Sequence, residues 1–228
     1  MAHSDRYRQI RERLVDLATV IDQDTAATPV PATPMWSVKD VYAHLAGENA
    51  DILAGNLDGV TTDPWTAAQV EARRHLTLAE VVEEWTSLAP RFDQLIDDLD
   101  GAMDPRLFVD AWSHEQDVRA LLGRPGGHDP ELVDWVMPGV VRATCISVRR
   151  GGLDPIALRV GDHANQSGDD PVVSLEVEPF EFLRGTLGRR SRRQIRAWNW
   201  TGDVDVDPYI DRMLTFGIAE RDLTDAVP

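Results

Sequence analysis

The sequence is poor in cysteine and in basic charge. Cys145 is the one cysteine among 228 residues. This excludes an internal disulfide framework and a cysteine-rich zinc site, and it indicates a reducing compartment. Asp and Glu number 39 against 23 Lys and Arg, which gives a net charge of −16 and a pI near 4.6. Such a charge argues against general binding to nucleic acids or to anionic membranes. Because the chain has a single cysteine, any metal site must use histidine and carboxylate ligands.

Long apolar runs are also missing. No apolar run approaches the ~18 to 20 residues that span a bilayer. The first turns carry charges such as Asp5, Arg6 and Arg8, where a signal peptide would be apolar. We therefore expect a cytoplasmic protein. The sequence has no phosphate-cradling glycine loop, Gly-x-Ser-x-Gly elbow or Cys-x-x-Cys pair, which argues against nucleotide binding, serine hydrolysis and dithiol redox chemistry.

One predicted helix, residues 104–123, carries three ionisable side chains on a single face. Asp110, His114 and Asp117 are spaced i, i+4 and i+7, so they project from the side that also bears the apolar stripe. A carboxylate four residues from an imidazole can supply two ligands to one divalent cation. The alternative is a buried histidine whose hydrogen bonds are satisfied by a neighbouring acid.

A second predicted helix, residues 36–55, offers a further ligand. Ser37 and Asp40 form an Asp variant of the capping box at its start. His44 lies in mid-helix on the apolar face, where a histidine is more often part of the core than a ligand. Trp36, just before the cap, is placed to act as a hydrophobic staple against the next turn, and a structural role accounts for it fully.

Both segments resemble a known family. Trp36-Ser-Val-Lys-Asp-Val-Tyr-Ala-His44-Leu and Asp110-Ala-Trp-Ser-His114-Glu-Gln-Asp117-Val-Arg resemble the DinB-like bundle superfamily and, within it, the mycothiol-dependent maleylpyruvate isomerase family. The resemblance implies a divalent metal on His44, Asp110 and His114. Zinc is the first expectation, and nickel or another cation is the alternative. It also implies mycothiol as thiol co-substrate. The family commonly has Glu where Asp110 stands, and the shorter acid could loosen the site or alter its metal preference.

The resemblance extends into the second half of the chain, through Gly188-Arg-Arg-Ser-Arg-Arg-Gln-Ile and Trp200-Thr-Gly-Asp. In the family an arginine of the second domain faces the active site, so Arg189 and Arg190 are the predicted cofactor-binding residues. Arginine suits this task because its planar fork donates two parallel hydrogen bonds to a carboxylate. The alternative for the arginines of 184–196 is a solvated helix face paired with acids.

The predicted fold class is α+β. We expect a DinB-like four-helix bundle over 1–124 and a small α+β domain over 129–228, which the resemblance suggests is sterol-carrier-like. The predicted helices are 4–22, 36–55, 78–99, 104–123 and 130–149, with Ser4, Thr77 and Asp104 as caps of three of them. The predicted strands are 156–160 and 172–177. Residues 24–35 are expected to form a loop because they are rich in proline.

The leading functional hypothesis is a divalent-metal-dependent thiol transferase or isomerase, which uses an external low-molecular-weight thiol on a small electrophile. Asp117 is its predicted catalytic residue, to orient a ligand or take a proton. The alternatives are a metal hydrolase and a non-enzymatic small-molecule-binding bundle, since one fold hosts many functions. We expect a monomer or homodimer. His75, His128 and His163 are expected outside the metal site, and Cys145 is expected to be an ordinary buried thiol.

Overall fold

The computed structural model describes residues 2–99 and 101–226. By the density of its internal contacts the chain divides into two units. The first contains the residues up to Gly127 together with those from Asp225 onward, and the second is His128–Thr224. The predicted domains, 1–124 and 129–228, remain our proposal for the independently folding parts of the chain.

The first unit is a helical bundle with a small hairpin. Its elements are α1 (His3–Ala18), α2 (Gln23–Ala26), β1 (Pro29–Val30), β2 (Thr33–Ser37), α3 (Val38–Ala54), α4 (Asp63–Ala72), α5 (Leu78–Asp98) and α6 (Arg106–Leu122). Helix α3 packs on α4, α5 and α6, while α1 packs on α5 and α6. The antiparallel hairpin of β1 and β2 lies beside this bundle, with β1 against α6 and β2 against α3.

The bundle is held together by the apolar faces of its long helices. In α5, Val81, Trp85, Phe92 and Ile96 follow helical spacing and are fully buried. Each such side chain stabilises the fold by roughly 1.5–3 kcal/mol relative to an exposed position. The predicted cap of this helix is confirmed, since Thr77 forms a complete capping box with the side chain of the third helical residue.

A buried ion pair also joins α1 to α5. The guanidinium of Arg11 donates to both carboxylate oxygens of Asp93, at 2.9 and 3.0 Å. Arg8 donates to the same carboxylate at 2.9 Å. The side chains of Arg11 and Asp93 are only 6% and 12% exposed. Removing Asp93 would therefore leave the charge of Arg11 without its carboxylate partner in a poorly solvated place.

The second unit combines helices with a four-stranded sheet. Its elements are α7 (Pro130–Arg150), β3 (Ile156–Val160), β4 (His163–Gln166), β5 (Val173–Val177), α8 (Pro179–Thr186), α9 (Arg192–Arg196), β6 (Asn199–Thr201) and α10 (Asp207–Met213). The strand order is β4-β3-β5-β6, in which β3 and β5 are parallel and the other pairs antiparallel. Helix α7 packs against β3, β4, α8 and α10. The α+β fold class is confirmed, while the sterol-carrier likeness stays a prediction.

Two predicted helix starts are wrong. Helix α1 begins at His3, so the buried Ser4 lies inside it and does not cap it. Helix α6 begins at Arg106 with Pro105 in the capping position. Asp104 precedes that position, and its carboxylate accepts hydrogen bonds from the backbone N–H of Arg106 at 2.9 Å and from the guanidinium of the same residue.

The segment predicted as a loop, 24–35, contains regular structure. It includes part of α2 and most of the β1–β2 hairpin, and Trp36 belongs to β2, because α3 begins only at Val38. The loop predicted from the prolines is wrong here, because proline is tolerated on the exposed edges of a two-stranded hairpin. Strands β4 and β6 were also missed. In the described parts of the chain, no helix has the length and hydropathy of a membrane span.

Candidate metal centre

Three side chains from two helices converge on one point in the first unit. His44 of α3 and the α6 residues Asp110 and His114 each offer one ligand atom, and these atoms all lie within 4.8 Å of one another. Asp110 lies between the imidazoles, with Oδ2 at 3.0 Å from His44 Nε2 and Oδ1 at 3.6 Å from His114 Nε2. Two ligand atoms at about 2.1 Å from a tetrahedral zinc lie about 3.4 Å apart. The observed spacing therefore suits one divalent cation.

The imidazole nitrogens that face away from Asp110 also have polar neighbours. His44 Nδ1 lies 2.8 Å from Gln69 Oε1 of α4. The nitrogen of the Gln69 side-chain amide fixes the orientation of the group, because Gln69 Nε2 donates to Asp51 Oδ2 at 2.8 Å. An amide oxygen only accepts hydrogen bonds, so it keeps a proton on His44 Nδ1 and leaves Nε2 for the cation.

A glycine in α3 allows the contact between Gln69 and His44. If Gly47 of α3 carried a Cβ, that atom would lie 2.5 Å from the Cβ of Gln69, far inside van der Waals contact. Helix α4 can thus approach α3 closely only where the side chain is missing. Glycine costs roughly 0.5–1 kcal/mol relative to alanine inside a helix, and the close helix crossing that brings Gln69 to His44 accounts for its presence.

The electrostatics of the cluster favour positive charge. Burial by itself lowers the pKa of His44, but the charge and hydrogen bond of Asp110, together with Glu48 and Gln69, raise it to about 9. Glu48, one turn further along α3, is buried, and burial together with the charge of Asp110 raises the pKa of its carboxyl group. Its Oε2 is a buried atom that makes no hydrogen bond within the described residues. A cation held here would offset the negative charge that these carboxyl groups concentrate.

Access to the cluster is unequal. The side chains of His44 and His114 are 4% exposed, whereas that of Asp110 is 30% exposed. An incoming small molecule would therefore meet the carboxylate before either imidazole.

Residues 7–119 match the family model described as the mycothiol maleylpyruvate isomerase N-terminal domain. This domain of the chain belongs to that family. The match includes all three residues of the cluster, and it confirms the resemblance inferred from the segments around His44 and His114. Comparison with curated proteins and with solved structures gives no match.

In this isomerase-type domain, Asp117 lies behind His114. Its Oδ2 is 3.4 Å from His114 Nδ1, and its side chain is fully buried. The carboxylate thus faces the nitrogen opposite the one nearest Asp110, a position that supports orientation of the ligand more than direct contact with a substrate. The catalytic role predicted for Asp117 stays a prediction.

The two predicted cofactor-binding arginines belong to the second unit, outside the matched domain. Arg190 donates from Nε and Nη2 to the carboxylate of Glu181, at 2.7 and 2.6 Å, and from Nη1 to the carbonyl of Arg189. Arg189 donates from Nη1 to the carbonyl of Leu187 at 2.6 Å. Both arginines are buried. Their cofactor-binding role stays a prediction.

The remaining histidines that the sequence placed outside the metal site are not members of the cluster. His75 is exposed just before α5. The ring of His128 lies 4.6 Å from that of Phe180, measured between centroids. His163 Nε2 lies 3.7 Å from a carboxylate oxygen of Asp134.

Two residues of the site were missed by reasoning from the sequence. Glu48 had a usable signal, because it follows His44 by four residues on the same buried helix face. Gln69 had none, since its contact with His44 depends on how α4 crosses α3. Only the three-dimensional structure brings it into the site.

Proposed function

We propose that this chain is a divalent-metal-dependent thiol transferase or isomerase that uses an external low-molecular-weight thiol of the mycothiol type on a small electrophile. The convergence of His44, Asp110 and His114 carries the proposal. The family supports the choice of thiol and reaction type, because its name couples mycothiol to the isomerisation of maleylpyruvate.

The donor set fits such a cation. Two imidazole nitrogens and one carboxylate oxygen suit zinc, and also nickel, and three protein ligands leave positions open for a reactant. When bound, the cation would lower the pKa of a coordinated thiol and so supply a nucleophile at neutral pH. Gln69 keeps the His44 proton on Nδ1, and the Asp117 carboxylate lies 3.4 Å from His114 Nδ1, so the Nε2 atom of each ring would be left to face the cation.

The protein's own thiol is unsuited to act as the nucleophile. Cys145 belongs to the second unit and is buried, and burial raises the pKa of its thiol to about 11. At neutral pH almost none of it would be the reactive thiolate. The sulfur that attacks the electrophile is therefore external in this proposal.

The test combines metal content with a thiol requirement. Protein purified without chelator should contain close to one equivalent of metal, and His114→Ala should lose it. Turnover of conjugated electrophiles, maleylpyruvate among them, should need both the metal and an added thiol, with mycothiol compared with glutathione, cysteine and no thiol. Cys145→Ser is the matched control and should keep the wild-type rate. Turnover with metal and water alone would indicate a hydrolase instead, and no turnover in any mixture would favour a binding protein.

Arg189 and Arg190 remain our proposed anchors for a carboxylate of the thiol or the substrate. Arg190→Gln and Arg189→Gln should then raise KM and leave kcat nearly unchanged. Arg192→Gln is the control, since Arg192 pairs with Asp211 on the surface. Because Glu181 would lose its partner in Arg190→Gln, thermal unfolding of each variant must be measured beside the kinetics.

A further inference from the structure

We propose that Trp36 is a positioning residue of the metal centre, whose indole ring holds the imidazoles of His44 and His114 in the orientation that metal binding requires. The inference rests on the metal site of the proposed function. Local helix capping explains why a tryptophan precedes the α3 cap. It does not explain the contacts that the Trp36 ring makes with residues outside α3.

The Trp36 ring lies beside both ligand histidines. Its centroid is 5.0 Å from that of His44, with an interplanar angle of 42°, and 5.8 Å from that of His114, with an angle of 34°. A hydrophobic staple explains a contact with the first turns of α3. It does not explain the second contact, because His114 belongs to α6. One ring thus packs against ligands from two different helices, while the two imidazoles lie edge to face at 5.4 Å.

The backbone around Trp36 is well fixed, so the ring has a defined place. The next residue, Ser37, is the cap of α3 and forms a capping box with Asp40, in which each side chain bonds the backbone N–H of the other residue. On its other side, Trp36 continues β2, which pairs with β1. Fixed backbone on both sides limits the directions that the indole can take. It can therefore restrain the imidazoles instead of merely following them.

The indole also favours the charge that metal binding creates. Coordination to a dication makes an imidazole ring more positive, and the face of tryptophan attracts positive charge within about 6 Å of its centroid. Both centroid distances fall inside this limit. The Trp36 ring is therefore compatible with the positive charge of a metal-bound centre. Its position beside the buried imidazoles also leaves Asp110 as the more exposed of the three ligands.

The neighbouring residue provides a matched control. Met35 precedes Trp36 on the same strand, but it is 91% exposed. A substitution there changes the same strand of the hairpin without changing the contact with the histidines. Met35→Ala should accordingly bind metal as the wild type does.

The experiment measures zinc affinity by competition with a chromophoric chelator, together with the visible absorption of the cobalt-loaded protein. Trp36→Leu should weaken zinc binding by about 10- to 100-fold, the range seen when a group that orients a metal ligand is removed. It should also shift the cobalt bands, because the ligand geometry relaxes. Trp36→Phe keeps a smaller aromatic ring and should lose affinity only severalfold. Wild-type affinity and an unchanged cobalt spectrum in Trp36→Leu would overturn the proposal.

Folding is checked by circular dichroism and thermal unfolding of the metal-free variants. If Trp36→Leu does not fold, Trp36→Phe decides: a severalfold loss of zinc affinity with a shifted cobalt spectrum supports the role, and identity with the wild type refutes it. The two proposals fail differently. A wild-type protein that binds no metal would overturn the metal centre itself, whereas normal wild-type binding that is unaffected by loss of the indole would overturn only this inference.

Discussion

Replacing Gln69 by leucine should weaken metal binding while the bundle stays folded. In the structure, Gln69 Oε1 lies 2.8 Å from His44 Nδ1, and the glutamine is itself 2% exposed. Leucine fills most of the same volume but offers no acceptor. Above pH 9 the metal-free His44 is neutral, because its pKa is raised to about 9, and in the variant its one proton can then move to Nε2, which lies 3.0 Å from Asp110 Oδ2. A cation on Nε2 excludes that arrangement and leaves the proton on an unpaired Nδ1.

The size of the effect follows from this difference. A buried donor left without an acceptor costs roughly 1–3 kcal/mol, and about 1.4 kcal/mol corresponds to a tenfold change in affinity. Because most of the cost falls on the metal-bound state, zinc affinity should fall by about 5- to 150-fold. This agrees with the roughly 10- to 100-fold loss typical when the hydrogen-bond partner of a ligating histidine is removed.

The assay is zinc competition with a chromophoric chelator at a pH above the His44 pKa of about 9, with urea unfolding of the metal-free protein alongside. Gln94→Leu is the matched control, because Gln94 is an exposed helical glutamine that donates to Asp98 in the same helix. It should leave zinc affinity unchanged. If Gln69→Leu binds zinc as tightly as Gln94→Leu does, then Gln69 does not set the proton on His44, and the reasoning is refuted.

Three further outcomes can be measured on the same protein. Gly47→Ala should lower both the thermal midpoint and the zinc affinity, despite the better helix propensity of alanine, because the new Cβ collides with Gln69; a raised midpoint would contradict this. Asp93→Ala should lose about 3–5 kcal/mol in urea unfolding, because it leaves buried Arg11 unpaired, whereas Asp5→Ala, in an exposed pair, should change little. Cys145, with its pKa raised to about 11, should be alkylated slowly by iodoacetamide at pH 7.5 and faster as the pH rises; rapid labelling of the folded protein would refute the burial argument.

The three predicted metal ligands could be recognised from the sequence because helical periodicity turns spacing into direction. Asp110 and His114 are four residues apart on one helix, so their side chains must share a face in any fold that keeps the helix. The spacing alone does not assign His44 to the same site, because its pairing with Asp110 and His114 depended on the family resemblance. The structure brings all three together.

The groups that surround the ligands could not be predicted in this way. Gln69 reaches His44 only because α4 crosses α3 at Gly47, and no local pattern encodes a crossing between helices. Trp36 was interpreted as a staple because its distance from the α3 cap is visible in the sequence, whereas its contact with His114 of α6 is not. Interactions between elements are fixed by packing, which a one-dimensional pattern does not contain.

The same distinction between local pattern and packing explains which elements of the fold could be predicted from the sequence. Long helices such as α5 and α7 repeat their apolar positions over five or more turns, so their existence was clear from the sequence. Strands β4 and β6 have four and three residues, and β1 has two. Segments of this length are extended because a neighbouring strand pairs with them, and their own residues show little preference. Such strands are therefore poorly predicted from composition alone.

Asp110 is the residue of the cluster that we expect to affect which electrophile the site accepts. Asp110 spans both imidazoles, with one oxygen toward each Nε2, so a side chain as short as that of aspartate reaches both histidines. It is also the ligand most exposed to solvent. In our proposal a reactant that comes from solvent meets this acid first, whereas the two histidines keep their buried surroundings. Asp110→Glu should accordingly alter the size of electrophile accepted more than the affinity for zinc, and a panel of electrophiles of increasing bulk, with zinc competition as the control, would show whether this separation holds.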